Sequence, residues 1–236
     1  ETAGTSFSVT ATARDAEWNT KTDYTGSQSV VWTWSATTAP SGASPTKPAD
    51  ASETFTSGAM TKSGFTLVNA GESPTITITA STKAGTTSAI TVNPAGLNDF
   101  TVVPSTYSPT TDSGFTVTLT ARDVYQNTKT DYTSAHSVAW SWATGGSASP
   151  KGSSATLASD GNQTFTAGVS SGITGFKLVK TETATITATA DTKSGTSTTI
   201  TAGPGALNNF TLTTQHSGAE TAGTSFSVTA TARDAE

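Results

Sequence analysis

Apolar and polar residues alternate along residues 5–14. Phe7, Val9, Ala11 and Ala13 fall on one side, and Ser8, Thr10, Thr12 and Arg14 on the other. A period of two with one apolar face predicts a half-buried antiparallel strand. The pattern returns as Phe115, Val117, Leu119 and Ala121, and again as Phe226, Val228, Ala230 and Ala232. Thr fills the outward positions because it is polar and β-branched at once. In residues 29–36 and 137–144, Val30, Trp32 and Trp34 share a face, as do Val138, Trp140 and Trp142. Same-face alternation with a Val points these Trp inward, so each pair places one Trp at the centre of a core and lets the second reach a domain end.

Shorter strands are predicted around Phe55 and Phe165, then around Phe65 with Leu67 and Phe176 with Leu178. The most regular strands turn Ile76, Ile78 and Ala80 inward, or Ile186, Ala188 and Ala190. Their outward rows are Thr75, Thr77 and Thr79, and Thr185, Thr187 and Thr189. KAGT at 83–86 and KSGT at 193–196 read as turns into last strands bearing Ile90 and Val92, or Ile200 and Ala202. A strand with Phe100 and Val102, or Phe210 and Leu212, opens the next round. Seven short alternating strands in about 110 residues, with no helical period, predict an all-β chain of tandem immunoglobulin-like sandwiches.

The repetition is literal at the two ends. Residues 1–17, ETAGTSFSVTATARDAE, return unchanged as 220–236, and a diverged copy, SGFTVTLTARDV, stands between them at 113–124. A tandem repeat of about one small domain follows. It predicts a first domain at 1–97 that lacks its first strand, a complete second domain at 98–206, and the first two strands of a third at 207–236. On this reading the sequence is a window on a longer repetitive protein, and an unpaired sheet edge of this kind is an aggregation hazard in a free monomer.

Charged residues make up only 12% of the chain, against about 25% in an ordinary soluble domain, so the predicted surface is polar but weakly charged. With a net charge of −5 and its Lys and Arg scattered singly, the chain carries no electrostatic footprint for nucleic acid or an anionic membrane. No apolar run approaches the roughly 18 residues of a spanning helix, so no membrane insertion is expected within these residues. The absence of Cys excludes disulfides, thiolate zinc sites and a cysteine nucleophile.

AGTSFSVTATARD, followed by NTKTDYTGSQSV and later by TITITAST, resembles the tandem Ig-like repeats of long bacterial and archaeal surface proteins, a group that includes adhesin repeats and the invasin and filamin-like modules. The family's loop after the second strand commonly reads Asp, two or three residues, Asn, Thr, then a Tyr, Thr, Gly turn. Asp15, Asn19, Tyr24, Thr25 and Gly26 match it, as do Asp123, Asn127, Tyr132 and Thr133, with Ser134 in place of the Gly. The resemblance implies a non-catalytic structural repeat at the extracellular cell surface, in an adhesin stalk, filament or sheath. Its implied partners are neighbouring Ig-like domains of the same or identical chains, with a host, surface or glycan ligand of unknown identity.

Several residues are candidates for more specific chemistry. Asp15, Asn19 and Asp23, with Asp123, Asn127 and Asp131, offer oxygen ligands for calcium, which takes about six to eight oxygens and usually several carboxylates. Two carboxylates and an amide per loop also suit Asx turns and backbone caps. No other cofactor is implied. Trp18 stands where the second unit has Tyr125, and a loop aromatic stacks either on a sugar face or on the end of its own sandwich. A carbohydrate- or ligand-binding module built on these two aromatics is therefore the alternative to a structural shaft. Leu97 and Leu207, beside Pro94 and Pro204, are the apolar residues expected at domain junctions. Asn162 and Asn209 lie in N-glycosylation sequons. His136 and His216 sit in different loops without a repeating Ser and carboxylate, so no catalytic constellation is read.

Overall fold

The computed structural model describes residues 1–215 and 218–236, and among these it contains sixteen strands and no helix. Two compact units divide the chain. The first comprises residues 1–99 with 121–133, the second residues 100–120 with 134–236.

The first unit holds β1 (Ser6–Thr12), β2 (Gly26–Trp34), β3 (Ala51–Phe55), β4 (Ala59–Thr66), β5 (Ile76–Ala80) and β6 (Lys83–Thr86). β1 and β4 form one antiparallel sheet, and the other is ordered β3-β2-β5-β6. The period-two pattern explains what is buried. Val30 and Trp32 of β2 point into the unit and join Phe55, Met60, Phe65 and Ile76 in its core, while Val31 and Thr33 face out. Trp32 meets Phe65 edge-on, with ring centroids 5.0 Å apart and planes at 77°, an arrangement worth about 0.5–1.5 kcal/mol beyond area burial. Trp34 is half-buried and leans on a second cluster of Ala3, Leu67 and Val92. A bulge at Gly64 (φ 96°) lets Phe7 oppose Phe65 while Ser8 opposes Ser63. Both Phe rings thereby stay on the core side.

The second unit holds most of β7 (Leu97–Pro104) and β8 (Gly114–Asp123), followed by β9 (Ser134–Thr144), β10 (Gly161–Phe165), β11 (Val169–Lys177), β12 (Thr183–Ala190), β13 (Lys193–Thr196) and the two-residue β14 (Ile200–Thr201). One sheet runs β11-β8-β7, the other β10-β9-β12-β13 with β14 also on β12. The first, second and fifth strands thus oppose the third, fourth, sixth and seventh, the crossing pattern of an immunoglobulin-like sandwich. Trp140 and Phe176 repeat the edge-on pair at 4.9 Å and 76°. β15 (Asn209–Thr214) and β16 (Val228–Arg233) form a separate two-stranded hairpin.

The expected turns at KAGT and KSGT are corrected. Ala80 pairs with Lys83 and Ala190 with Lys193, so the turns are the two residues before: Ser81 and Thr82 (φ 46° and 66°), and Asp191 and Thr192 (φ 47° and 65°). Two central residues at positive φ make the tight hairpin whose twist suits its strands, and KAGT and KSGT become the return strands. Ile90 and Val92 lie outside any strand. Their backbone N–H groups donate singly, Ile90 to Pro74 and Val92 to Glu72, which does not amount to a ladder. The outward Thr are partnered across strands, with hydroxyl pairs Thr77–Thr86 at 2.8 Å, Thr187–Thr196 at 2.8 Å and Thr10–Thr61 at 2.9 Å.

Candidate functional site

The chain turns back on itself after β1 and again after β8, bridging Arg14 to Thr20 and Arg122 to Thr128. In the first turn Asp15 Oδ1 accepts the N–H of Glu17 at 3.0 Å and of Asn19 at 2.9 Å, and Asn19 Nδ2 donates to Asp15 Oδ2 at 3.1 Å. An Asp followed four residues later by Asn folds this way because the short carboxylate caps its own turn. Arg14 donates to the Trp18 carbonyl at 2.7 Å and lies over its ring.

The second turn is built alike. Asp123 Oδ1 accepts from the Tyr125 and Asn127 N–H groups at 2.9 Å each, and Arg122 donates to the Gln126 carbonyl at 2.6 Å. Trp18 and Gln126 share the left-handed position, with φ of 65° and 63°. Trp18 therefore corresponds to Gln126, and Glu17 to Tyr125. This corrects the pairing of Trp18 with Tyr125, which matched aromatic to aromatic instead of keeping the Asp and Asn in frame.

The two turns differ in what surrounds them. Asp15 and Asn19 are exposed, whereas Asp123 and Asn127 are buried within the first compact unit. Asn127 Nδ2 donates to the Val68 carbonyl at 2.8 Å, and its Oδ1 accepts the Ala70 N–H at 2.9 Å. Asp123 Oδ2 accepts the Ala95 N–H at 2.9 Å and Asn127 Nδ2 at 2.8 Å. The Tyr125 carbonyl accepts the Ser41 N–H, and the Tyr125 ring covers Gly4 and the cluster of Ala3, Leu67 and Val92. A Cβ on Gly4 (φ 80°) would collide with that ring. In the second unit Asp234 repeats the motif: its Oδ2 accepts the Thr111 hydroxyl at 2.7 Å and the Gly205 N–H at 2.8 Å. Gly205 occupies the place that Ala95 has in the preceding NPAGLN segment.

Electrostatics follow these bonds. The Thr111 hydroxyl, then the Gly205 N–H, hold the Asp234 carboxyl below its ordinary value of 3.8. The Asn19 side-chain amide, then the Asn19 backbone N–H, do the same for Asp15. The Lys21 ammonium lowers Asp23.

The calcium candidates do not converge on one point. Asp23 pairs with Lys21 and Asp131 with Lys129, each at 2.7 Å, while the oxygens of Asp15 and Asp123 face N–H donors. Among the described residues no group of three or more His, Cys, Asp or Glu side chains is placed to hold a metal. Trp18 is 76% exposed and Tyr125 half-buried, so the two do not present one platform. Leu97 is half-buried and Pro94 buried, Leu207 and Pro204 are exposed, and Asn162 and Asn209 stand exposed on β10 and β15. His136 Nδ1 lies 2.9 Å from Asp191, and His216 falls outside the described residues. The buried Asp123 and Asn127 contacts were not read from the sequence, although the Asp-x-x-x-Asn spacing present in both turns was the available signal.

No protein-family model matches this chain, and no curated protein sequence does. Solved structures are similar to it in fold. The Escherichia coli adhesin FdeC is 21% identical, with 99% of this chain and 70% of that one covered, at a TM-score of 0.43. Invasin, a bacterial integrin-binding protein, is 17% identical over 91% of this chain and 40% of its own, at 0.33. The Yersinia pseudotuberculosis adhesin InvE is 19% identical over 84% of this chain and 54% of its own, at 0.31. The chain therefore spans about half or less of invasin and InvE.

Proposed function

We propose that the chain is a non-catalytic structural segment of a long extracellular surface protein, serving as the shaft of an adhesin, a filament or a sheath. The observation that carries this reading is the recurrent Asp turn. By sequence, residues 121–133 belong to the repeat at 98–206, yet through Asp123 and Asn127 they complete the compact unit formed by residues 1–99. Asp234 makes the equivalent bonds to Thr111 and Gly205. Each repeat thus supplies the piece that closes the one before it, so consecutive copies are joined by directed hydrogen bonds in addition to the covalent chain. That suits a protein whose reach grows with copy number. Its partners on this reading are neighbouring copies, with Leu97 and Leu207 beside Pro94 and Pro204 at the joins.

Antibodies against residues 1–17 should label intact source cells, and surface proteolysis should remove the label. A signal seen only after lysis would overturn the proposal. Trp18, exposed and backed by Arg14, favours a second reading as a carbohydrate-binding module. That reading requires glycan retention by this chain and its loss in Trp18→Ala.

A further inference from the structure

The seat that receives an Asp turn can be compared position by position in the two units, because the same backbone bonds recur in each. The Gly4 N–H donates to the Leu67 carbonyl at 2.7 Å, and the Asp112 N–H to that of Leu178 at 2.8 Å. Ala3 donates to Asn93 and Thr111 to Gly203, each at 2.9 Å. Gly42 turns back onto the Ala39 carbonyl, and Gly152 onto that of Ser149. The Ser41 N–H reaches the Tyr125 carbonyl at 3.0 Å, and the Lys151 N–H the backbone oxygen of Glu236 at 3.1 Å. Ala3, Gly4, Ala39 and Ser41 therefore stand where Thr111, Asp112, Ser149 and Lys151 stand in the second unit. Tyr125 stands where Glu236 does.

Turn and seat change character together. In the first unit the Tyr125 ring lies over Gly4 and packs with Ala3, Leu67 and Val92. That seat exists because Gly4 has no Cβ to meet the ring. In the second unit the Ser149 hydroxyl donates to Glu236 Oε2 at 3.0 Å, and Lys151 Nζ donates to the Ala235 carbonyl at 3.0 Å. Lys177 Nζ donates to Asp112 at 2.6 Å. Asp112, and after it Glu236, raise the Lys177 ammonium above its ordinary value of 10.5. Thr111 supplies Asp234 with a hydroxyl that Ala3 lacks.

We infer, resting on the closing role proposed above, that the turns and their seats are keyed in two kinds that do not interchange. A turn with Tyr at its third position closes only a repeat with the Ala3 and Gly4 seat, and one with Glu only a repeat with the Thr111, Asp112, Ser149 and Lys151 seat. The wrong pairings fail for different reasons. A Tyr ring laid on the second seat meets the Asp112 Cβ, as a Cβ on Gly4 would meet the Tyr125 ring. A Glu laid on the first finds Ala39 in place of the Ser149 hydroxyl, and its carboxylate stands against Ala3, Leu67 and Val92. Each mismatch carries its own repulsive element, which is what specificity between similar partners requires. The Tyr turn also belongs by sequence to the repeat with the polar seat, and Glu17 to the repeat with the apolar one. No repeat fits its own kind, so the two kinds are held in alternation.

The test is calorimetry of the 236-residue chain, read one unit at a time. Tyr125→Glu, and separately Gly4→Asp with Ala39→Ser and Ser41→Lys, should each lower the first transition by on the order of 4–12 °C. Asp112 itself holds φ 64°, so the backbone admits Asp at Gly4. All four changes together should cost less than either set alone, because turn and seat agree again. The reverse exchange reads the second transition and decides the matter if the altered first unit does not fold. Glu236→Tyr should lower that transition in the otherwise unchanged chain and leave it in place in an Asp112→Gly, Ser149→Ala background. Asn127→Ala reads the closing role by itself: if the first transition does not move, closing and keying fall together. If Asn127→Ala acts but the combined changes cost the sum of their parts, the turns are interchangeable and the keying alone is overturned.

Discussion

Asn127→Ala is the most informative single substitution. Asn127 is 2% exposed and holds the Val68 carbonyl at 2.8 Å and the Ala70 N–H at 2.9 Å. Truncation strands both backbone groups, at about 1–3 kcal/mol for each unsatisfied partner, so the expected cost is roughly 2–6 kcal/mol. For a unit of this size a loss of 1 kcal/mol lowers Tm by about 4 °C, and the transition of the first unit should fall by on the order of 8–24 °C. Asn19→Ala is the internal control. It removes the same side chain from a turn of the same geometry, but Asn19 is exposed and, among the described residues, its side chain bonds only Asp15, so its effect should stay within about 0.5 kcal/mol. Calorimetry is the suitable assay, because two units need not melt as one two-state transition. Exchange of the Ala70 amide should accelerate in Asn127→Ala and stay unchanged in Asn19→Ala. Equal shifts for the two variants would show that the buried bonds contribute nothing and would remove the main support for a closing role of this turn.

Four further outcomes are expected. Phe65→Ala should destabilise the first unit, and Phe176→Ala the second, by about 3–5 kcal/mol each, read as loss of one calorimetric transition at a time; loss of both from either change would contradict independent cores. Gly195→Ala should destabilise the second unit because its Cβ meets the Phe100 carbonyl, whereas Gly85→Ala should leave the first unit's melting temperature in place. Asp15 and Asp234 have folded values below 3.8; their contribution is complete above 3.8 and is lost as pH falls through the lowered values, so Tm should decline on that acid limb, and Asp234→Asn should shallow the decline. A chelator should leave both melting transitions where they are, since the Asp15 and Asp123 oxygens already accept N–H donors; a shift of either would restore calcium to the account.

Much of the architecture was legible where one residue type decides one position. Alternation around Trp32 and Trp140 placed the core and the strand faces, because burial of a large ring dominates the local choice. The turns were misread at KAGT and KSGT because Gly draws a turn assignment, whereas Ser81, Thr82, Asp191 and Thr192 accept positive φ and leave the Gly in the return strand. At Gly195 the reason is visible: the Phe100 carbonyl lies against it. The candidate site was half legible. Asp123 and Asn127 were singled out, with Asp131, as calcium candidates, but their burial depends on Val68, Ala70 and Ala95, which lie far away in sequence and contribute backbone atoms to these bonds. No side-chain pattern announces a backbone acceptor.

The placement of Met60 has a consequence for chemical durability. It is the only thioether in a chain without thiols, and it sits in the first core at 6% exposure. Peroxides reaching the surface therefore meet neither a cysteine to climb the oxidation ladder nor an accessible methionine to turn into a polar sulfoxide inside the packing. Trp18, in its exposed turn, is the one fully open tryptophan among the described residues. Damage there would alter the absorbance of the protein and spare the sandwich beneath it.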